Sequence, residues 1–296
     1  MPDRETSTTL IIGSDGLIGK ALLAKLSAAG SPVAGTTRRN PAGCGVVRLD
    51  LGEPPASWRL PPSVSTAFLC AGVTKTDDCR KDPVSAARIN VDAVGSLAER
   101  LAERGAFVVF LSSSQVFSGA VARCAQDAPP DPMSEYGRQK AAAERRVLRL
   151  GERGAAVRLT KVAETLLPLF SRWEAALRHG QEIRPFSDMT AAPVPLSLVV
   201  EALTRLADRR LAGITQVSAD RDLSYEDMAR LVAVHAGADP ALIHPILAKQ
   251  SGLDLEAIAN RTALDTTRLR RELGLIPPDA AACIAATLAS GSVTTP

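Results

Sequence analysis

The chain has 296 residues, 46% hydrophobic and 23% charged, with a net charge of +3. This length suits one large domain or two lobes sharing an interface, and the composition is that of an ordinary globular protein. The charge is too small and too evenly spread for a nucleic-acid surface, Arg145-Arg146 and Arg270-Arg271 reading as solvated helix faces, and no apolar run approaches a membrane span.

Met1 to Thr9 carry Asp3, Arg4 and Glu5 where a signal peptide would need an apolar core, so a cytoplasmic address is expected. Thr8 to Ile12 is a short β-prone run, and Gly13-Ser14-Asp15-Gly16-Leu17-Ile18-Gly19 follows at once. A helix-period segment from Leu17 to Ala29 ends at Gly30, and Pro32 to Thr37 reads as a second strand. Val46 to Leu49 and Thr66 to Cys70 look like further strands, Pro83 to Arg104 is a long helix, and Phe107 to Leu111 is the most strand-like run of all. Ser134 to Leu150 reads as a helix and Ala155 to Leu159 as another strand. Strands alternating with helices predict an α/β fold, a doubly wound parallel sheet of Rossmann type. After about residue 165 the rhythm loosens, with prolines at 168, 185, 193, 195, 240 and 245 between short helices. The expected division is a dinucleotide-binding domain over 1–165 and a smaller, mostly helical substrate lobe over 166–296, some of it returning to the sheet.

Gly13, Gly16 and Gly19 form G-x-x-G-x-x-G between a strand and a helix. The first glycine permits the tight turn, the second lets backbone approach a pyrophosphate, and the third allows close helix–strand packing. The helix that opens at Leu17 and Ile18 supplies N–H groups and a positive dipole end, so the turn predicts dinucleotide binding. An NAD site usually places an acid at the end of the second strand. Here that strand runs into Thr37-Arg38-Arg39, with no acid. Arginine makes charge-assisted contacts with phosphate, so NADP is the expected cofactor and NAD the alternative; Arg38 also reads as stacking on adenine. Asp50 and Leu51 follow the third strand, where Asp50 is placed to accept from the adenine amino group. Cys70-Ala71-Gly72 follows the fourth, where small residues let backbone lie against the adenosine ribose.

Tyr136 is one of only two tyrosines and stands four residues before Lys140. On a helix the two share a face about 6 Å apart. A cation at that range favours the phenolate and is expected to pull the tyrosine below its ordinary pKa of about 10, which makes it a general acid–base. The pair alone reads equally as a surface tyrosine beside a solvated lysine. The glycine turn upstream favours the catalytic reading.

With that turn, Ser112-Ser113-Ser114-Gln115-Val116-Phe117 after the fifth strand, and Tyr136/Lys140 on the next helix, the chain resembles an extended short-chain dehydrogenase/reductase. It is most similar to the dTDP-4-dehydrorhamnose reductase group of nucleotide-sugar enzymes. Val116-Phe117-Ser118-Gly119 and Leu264-Asp265-Thr266-Thr267-Arg268-Leu269 match phrases of that group. The resemblance is specific over residues 8–162 and loose from there to about 275. It implies that Ser113 hydrogen-bonds the substrate oxygen, Tyr136 exchanges the proton, and Lys140 holds the nicotinamide ribose and lowers the tyrosine pKa. It implies cofactor roles for Asn90, for Thr160 and for Val162, a nucleotide-sugar substrate, and a homodimer formed through sheet-flanking helices. Trp173, Arg178, Arg184 and Asp188-Met189-Thr190 are candidate substrate contacts.

The departures narrow the chemistry. Sugar-nucleotide 4,6-dehydratases resembling this chain carry an Asp-Glu pair where Ser114 and Gln115 stand, and neither residue shuttles protons at neutral pH. Synthases that epimerise at C3 and C5 use a cysteine beside the serine, where Ser114 stands. The expected activity is NADPH-dependent reduction of a nucleotide-linked keto sugar. A nucleotide-sugar 4-epimerase with retained NAD and a non-catalytic NADP-binding regulatory subunit remain alternatives, since the regulatory subunit of methionine adenosyltransferase resembles the same group. The five cysteines, Cys44, Cys70, Cys79, Cys124 and Cys283, form no C-x-x-C, so neither a disulfide framework nor a metal site is expected. His179, His235 and His244 lie far from every motif and read as surface or structural residues.

Overall fold

A computed structural model describes residues 7–39, 41 and 45–291. Cys44 and the acidic N-terminal residues behind the expected cytoplasmic address lie outside the described residues. No helix among the described residues is long and apolar enough to cross a membrane.

In chain order the elements are β1 (Thr8–Ile12), α1 (Leu17–Ala28), β2 (Val33–Thr37), β3 (Val46–Arg48), β4 (Val64–Leu69) and α2 (Thr76–Lys81). Then come α3 (Pro83–Ala87), α4 (Val94–Glu103), β5 (Phe107–Ser113), α5 (Glu135–Leu148), β6 (Gly154–Leu159), α6 (Leu167–Arg178) and β7 (Thr190–Ala191). The chain continues through α7 (Leu196–Asp208), β8 (Gly213–Val217), β9 (Leu223–Ser224), α8 (Tyr225–Ala236), α9 (Thr267–Leu273) and α10 (Ala280–Gly291). The long helix expected over 83–104 is one helical run interrupted by a π-helical turn, Arg88–Ala93, between α3 and α4.

The chain gathers into two compact units. The first comprises the chain up to Val116, Ser134–Arg158 and Val200–Thr215; the second comprises Phe117–Met133, Leu159–Val199 and the chain from Gln216 onward. Val200–Thr215 returns from the later part of the chain to the first unit, and Phe117–Met133 belongs to the second.

The first unit is built on a seven-stranded sheet of order β3-β2-β1-β4-β5-β6-β8. The pairings from β3 to β5 are parallel, and the register sets Ile12 opposite both Thr36 and Leu69. Strand order thus reverses between β1 and β4, which opens a crevice at their carboxyl ends. A parallel sheet is covered on both faces, and its strands accordingly lack polar alternation. Phe107 to Phe110 are each 0% exposed, and Leu10 and Ile12 pack with Leu97 and Leu101 of α4 and Val147 of α5.

Helix α5 starts where Ser134 accepts a hydrogen bond from Gly137 N–H, an N-cap. Its inward face carries Tyr136, Gln139, Lys140 and Glu144, a polar set that only compensating partners can stabilise in a core. Glu144 meets Arg158 of β6, with Nε donating to Oε1 at 3.0 Å and Nη2 to Oε2 at 2.8 Å.

In the second unit β7 and β9 pair antiparallel, and α8 packs against α6 and α10. A capping box of Ser224 and Asp227 begins α8, and Gly237 ends it at φ +65°. Asp222 Oδ1 accepts from Thr262 N–H (2.8 Å), Thr262 Oγ1 (2.7 Å), Ala263 N–H (3.0 Å) and Thr190 Oγ1 (3.4 Å). Hydrogen bonds to a charged group contribute about 1.5–3 kcal/mol each, and not additively. Asp222→Ala is expected to lower stability by about 3 kcal/mol in urea unfolding, and Asp222→Asn by less, because the amide oxygen can replace Oδ1. A loss below about 0.5 kcal/mol for the alanine variant would contradict this role.

Candidate active site

The glycine turn leaves the carboxyl end of β1. Gly13 sits at φ +84°, and a Cβ there would lie 2.9 Å from Ala71 Cβ and N. A Cβ on Gly19 would come within 2.2 Å of Gly13 O. Both positions therefore require glycine, one for conformation and packing, the other for helix–turn contact. Gly16 is the N-cap of α1 and no side chain caps it. The first-turn N–H groups at Leu17 and Ile18 are left for an anion, a fit to a pyrophosphate.

Thr37 is buried, with Oγ1 donating to Asp15 Oδ2 at 3.0 Å and accepting from Arg39 N–H at 3.1 Å. Arg39 Nε lies 4.0 Å from the same carboxylate. The end of β2 thus has an acid after all, delivered by the glycine turn rather than by the strand. Arg38 is exposed and forms an ion pair with none of the described residues, so its guanidinium is available to a phosphate. Asp50 Oδ1 accepts from Gly52 N–H at 2.8 Å, while the Leu51 side chain belongs to the core.

Beyond β4, Ala71 lies against Gly13, and a Cβ on Gly72 would meet Asn90 Oδ1 at 2.8 Å. Asn90, in the π-helical turn, accepts from Val73 N–H (2.8 Å) and donates to Val73 O (2.9 Å) and Gln139 Oε1 (2.8 Å). Both ends of its amide are committed to protein. Asn90 thereby braces the Ala71–Val73 loop. Gln139 completes the clamp by donating to Glu135 Oε1 at 3.0 Å and Pro83 O at 3.2 Å.

Ser113, at the end of β5, is hydrogen-bonded to Tyr136 through their side chains, and its Oγ also accepts from Gln115 N–H at 3.2 Å. Gln115 Oε1 accepts from Ser134 Oγ at 3.0 Å, which ties the serine loop to the N-cap of α5. Lys140 donates to Leu111 O at 2.8 Å and lies 4.6 Å from the Phe110 ring centroid and 5.6 Å from that of Tyr136. The expected lowering of the tyrosine pKa is not found. Burial pushes the Tyr136 phenol well above the ordinary range, the Cys79 thiol adds to this, and the Ser113 hydrogen bond opposes it. Burial also draws Lys140 itself down to about 8, against opposing contributions from Glu144, Cys70 and Cys79. The Cys70 thiol is pushed up to about 12 by burial, too high for a reactive thiolate at neutral pH.

Thr160 and Val162 fall in the second unit, where Thr160 N–H and Oγ1 both donate to Val217 O and buried Val162 bridges to Val194. Trp173 packs 6.0 Å from Phe170 and edge-on to Tyr225 at 6.5 Å. Arg178 pairs with Glu174, Asp188 Oδ1 accepts from Ala248 N–H, and Thr190 bonds Asp222, while Arg184 is exposed. No group of three or more His, Cys, Asp or Glu able to hold a metal occurs among the described residues.

An ordinary tyrosine is half ionised near pH 10. Both Tyr136 and Tyr225 are pushed up by burial, so the ultraviolet absorbance of tyrosinate should stay undeveloped through about pH 10 in the ligand-free protein. Ionisation of one tyrosine near neutral pH would reverse the account of Tyr136.

The family model described as the RmlD substrate binding domain matches residues 7–292. Methionine adenosyltransferase 2 subunit beta of Bos taurus is 29% identical over 191 residues, covering 60% of this chain and 56% of that protein. The chain thus spans little more than half the length of that relative. The dTDP-4-dehydrorhamnose reductase of Mycobacterium tuberculosis is 26% identical over 253 residues, covering 81% and 79%. A crystal structure of the Bacillus anthracis dTDP-4-dehydrorhamnose reductase in complex with NADP superposes at a TM-score of 0.79 with 19% identity, covering 98% of this chain and all of that one, a likeness of fold. Sheet, glycine turn and family match agree: this chain belongs to the RmlD substrate-binding domain family, within the extended short-chain dehydrogenase/reductases.

Proposed function

We propose that the protein is an NADPH-dependent reductase of a nucleotide-linked keto sugar, of the 4-keto-6-deoxyhexose type. The observation that carries the reading is the hydrogen-bonded Ser113–Tyr136 pair one helical turn from Lys140, in the same unit as a glycine turn shaped for a pyrophosphate. The named reductase relatives support it.

The cofactor supplies a hydride to the carbonyl carbon when bound. Tyr136, kept neutral by burial, donates its proton to the carbonyl oxygen, and Ser113 hydrogen-bonds that oxygen as charge develops on it. A phenol that holds its proton at working pH is the form a reduction consumes, which favours reduction over an oxidative first step. Lys140 has spent one ammonium proton on Leu111 O and retains two for the nicotinamide ribose. Gln115 is engaged with the Ser134 hydroxyl and carries no acid for the elimination of a 4,6-dehydratase.

Arg38 meets the 2′-phosphate of NADPH, whereas Arg39 lies toward Asp15. Loss of such a charge-assisted contact costs about 1.5–3 kcal/mol. Titration should show NADPH bound more tightly than NADH by the wild type, with the difference largely removed in Arg38→Ala. Equal wild-type affinities would exclude the assignment.

The subunit relatives favour a second reading, a cofactor-binding regulatory subunit without turnover. Tyr136→Phe separates the two, since it keeps the ring and removes the proton donor. The variant should fold, bind NADPH and lose about 10²–10⁴-fold in the rate of NADPH oxidation with a nucleotide-linked 4-keto-6-deoxyhexose. Wild-type interconversion of two sugar epimers without net NADPH consumption would identify an epimerase, and binding without turnover would support the regulatory subunit.

A further inference from the structure

Helix α5 presents buried polar side chains at three successive turns, Tyr136, Lys140 and Glu144, at 8%, 6% and 2% exposure. The chemistry above uses the first two and leaves Glu144 unexplained. Its carboxylate is gripped by Arg158 of β6, itself 1% exposed, through Nε at 3.0 and 3.2 Å and Nη2 at 2.8 Å. The charged and titratable groups acting on Lys140 are Glu144 on its own helix, the Cys70 thiol beyond β4 and the Cys79 thiol of α2; Tyr136 adds its ring face, and β5 adds Leu111 O and the Phe110 ring. Glu144 supplies the largest of the contributions that keep the amine protonated.

We propose that the Arg158–Glu144 ion pair is the positioning element of Lys140, locking the inward face of α5 onto β6 and holding the lysine as the ammonium that binds the nicotinamide ribose. The proposal rests on the reading of Lys140 as that ribose ligand. Burial alone would strip the proton from an amine in this place. Glu144 opposes that loss from one turn away, and Arg158, by bonding both carboxylate oxygens in a fixed fork, fixes where the carboxylate stands. Arg158 and Glu144 are therefore positioning residues rather than catalytic ones.

The test uses Glu144→Leu/Arg158→Met, since apolar replacement of a whole buried ion pair is often tolerated, together with Glu144→Gln, which preserves shape. The Lys140 Cε chemical shift, assigned with Lys140→Met, is followed against pH in the ligand-free protein, and NADPH affinity is followed over the same range. Both variants should titrate Lys140 about one pH unit or more below the wild type, and the pH at which NADPH binding weakens should fall with it. An unmoved Lys140 titration in either folded variant overturns the proposal whatever happens to stability, because a merely structural pair alters unfolding and not the lysine. Failure of the wild type to bind NADPH would refute the cofactor reading, while the ligand-free titration would still decide the role of the ion pair. If the double variant does not fold, Glu144→Gln, read below its melting temperature, decides alone.

Discussion

β1 and β4 lie side by side in the sheet, yet the chain builds away from them in opposite directions. That reversal leaves their carboxyl ends uncovered by a crossover, and the site depends on this opening. Gly13 and Ala71, which follow the two strands, press together so closely that a Cβ on the glycine would collide. The turn and the β4 loop therefore behave as one piece, with Asn90 bracing the loop from behind through Val73. Backbone N–H groups at the start of α1 gain a fixed aim from this arrangement.

The second constraint is a polar core face. A surface helix normally turns its apolar stripe inward, whereas α5 turns Tyr136, Gln139, Lys140 and Glu144 toward the sheet. Each of these groups is matched: Tyr136 by Ser113, Gln139 by Asn90 and Glu135, Lys140 by Leu111 O, and Glu144 by Arg158. Such satisfied networks are rigid, and a partly satisfied one is costly. Rigidity here keeps Tyr136 at a fixed place relative to Ser113.

Burial also decides which protonation states the site offers. Proximity of Lys140 to Tyr136 does not lower the phenol, because both groups are desolvated. Desolvation favours the neutral form of each, raising the phenol and lowering the amine. Glu144, one turn further along α5, opposes the loss of the lysine's proton.

Local pattern was enough for much of this. The alternation of apolar runs with helical periods, the Gly13/Gly16/Gly19 spacing and the four-residue step from Tyr136 to Lys140 are short-range features, and short-range geometry follows from backbone periodicity. They gave the sheet, the turn and the helix that brings tyrosine and lysine together. Long-range juxtaposition left no such trace. Asp15 reaches Thr37 across 22 residues, Val73 reaches Asn90 across 17, and Phe117–Met133 leaves the first unit for the second. The partnership of Glu144 with Arg158 and the upward shift of Tyr136 belong to the same class, because desolvation depends on what packs around a group and not on its neighbours in the chain. Residue order determined which groups could do chemistry, and packing alone decided which of them are charged, which are committed to structure and which are left for a ligand.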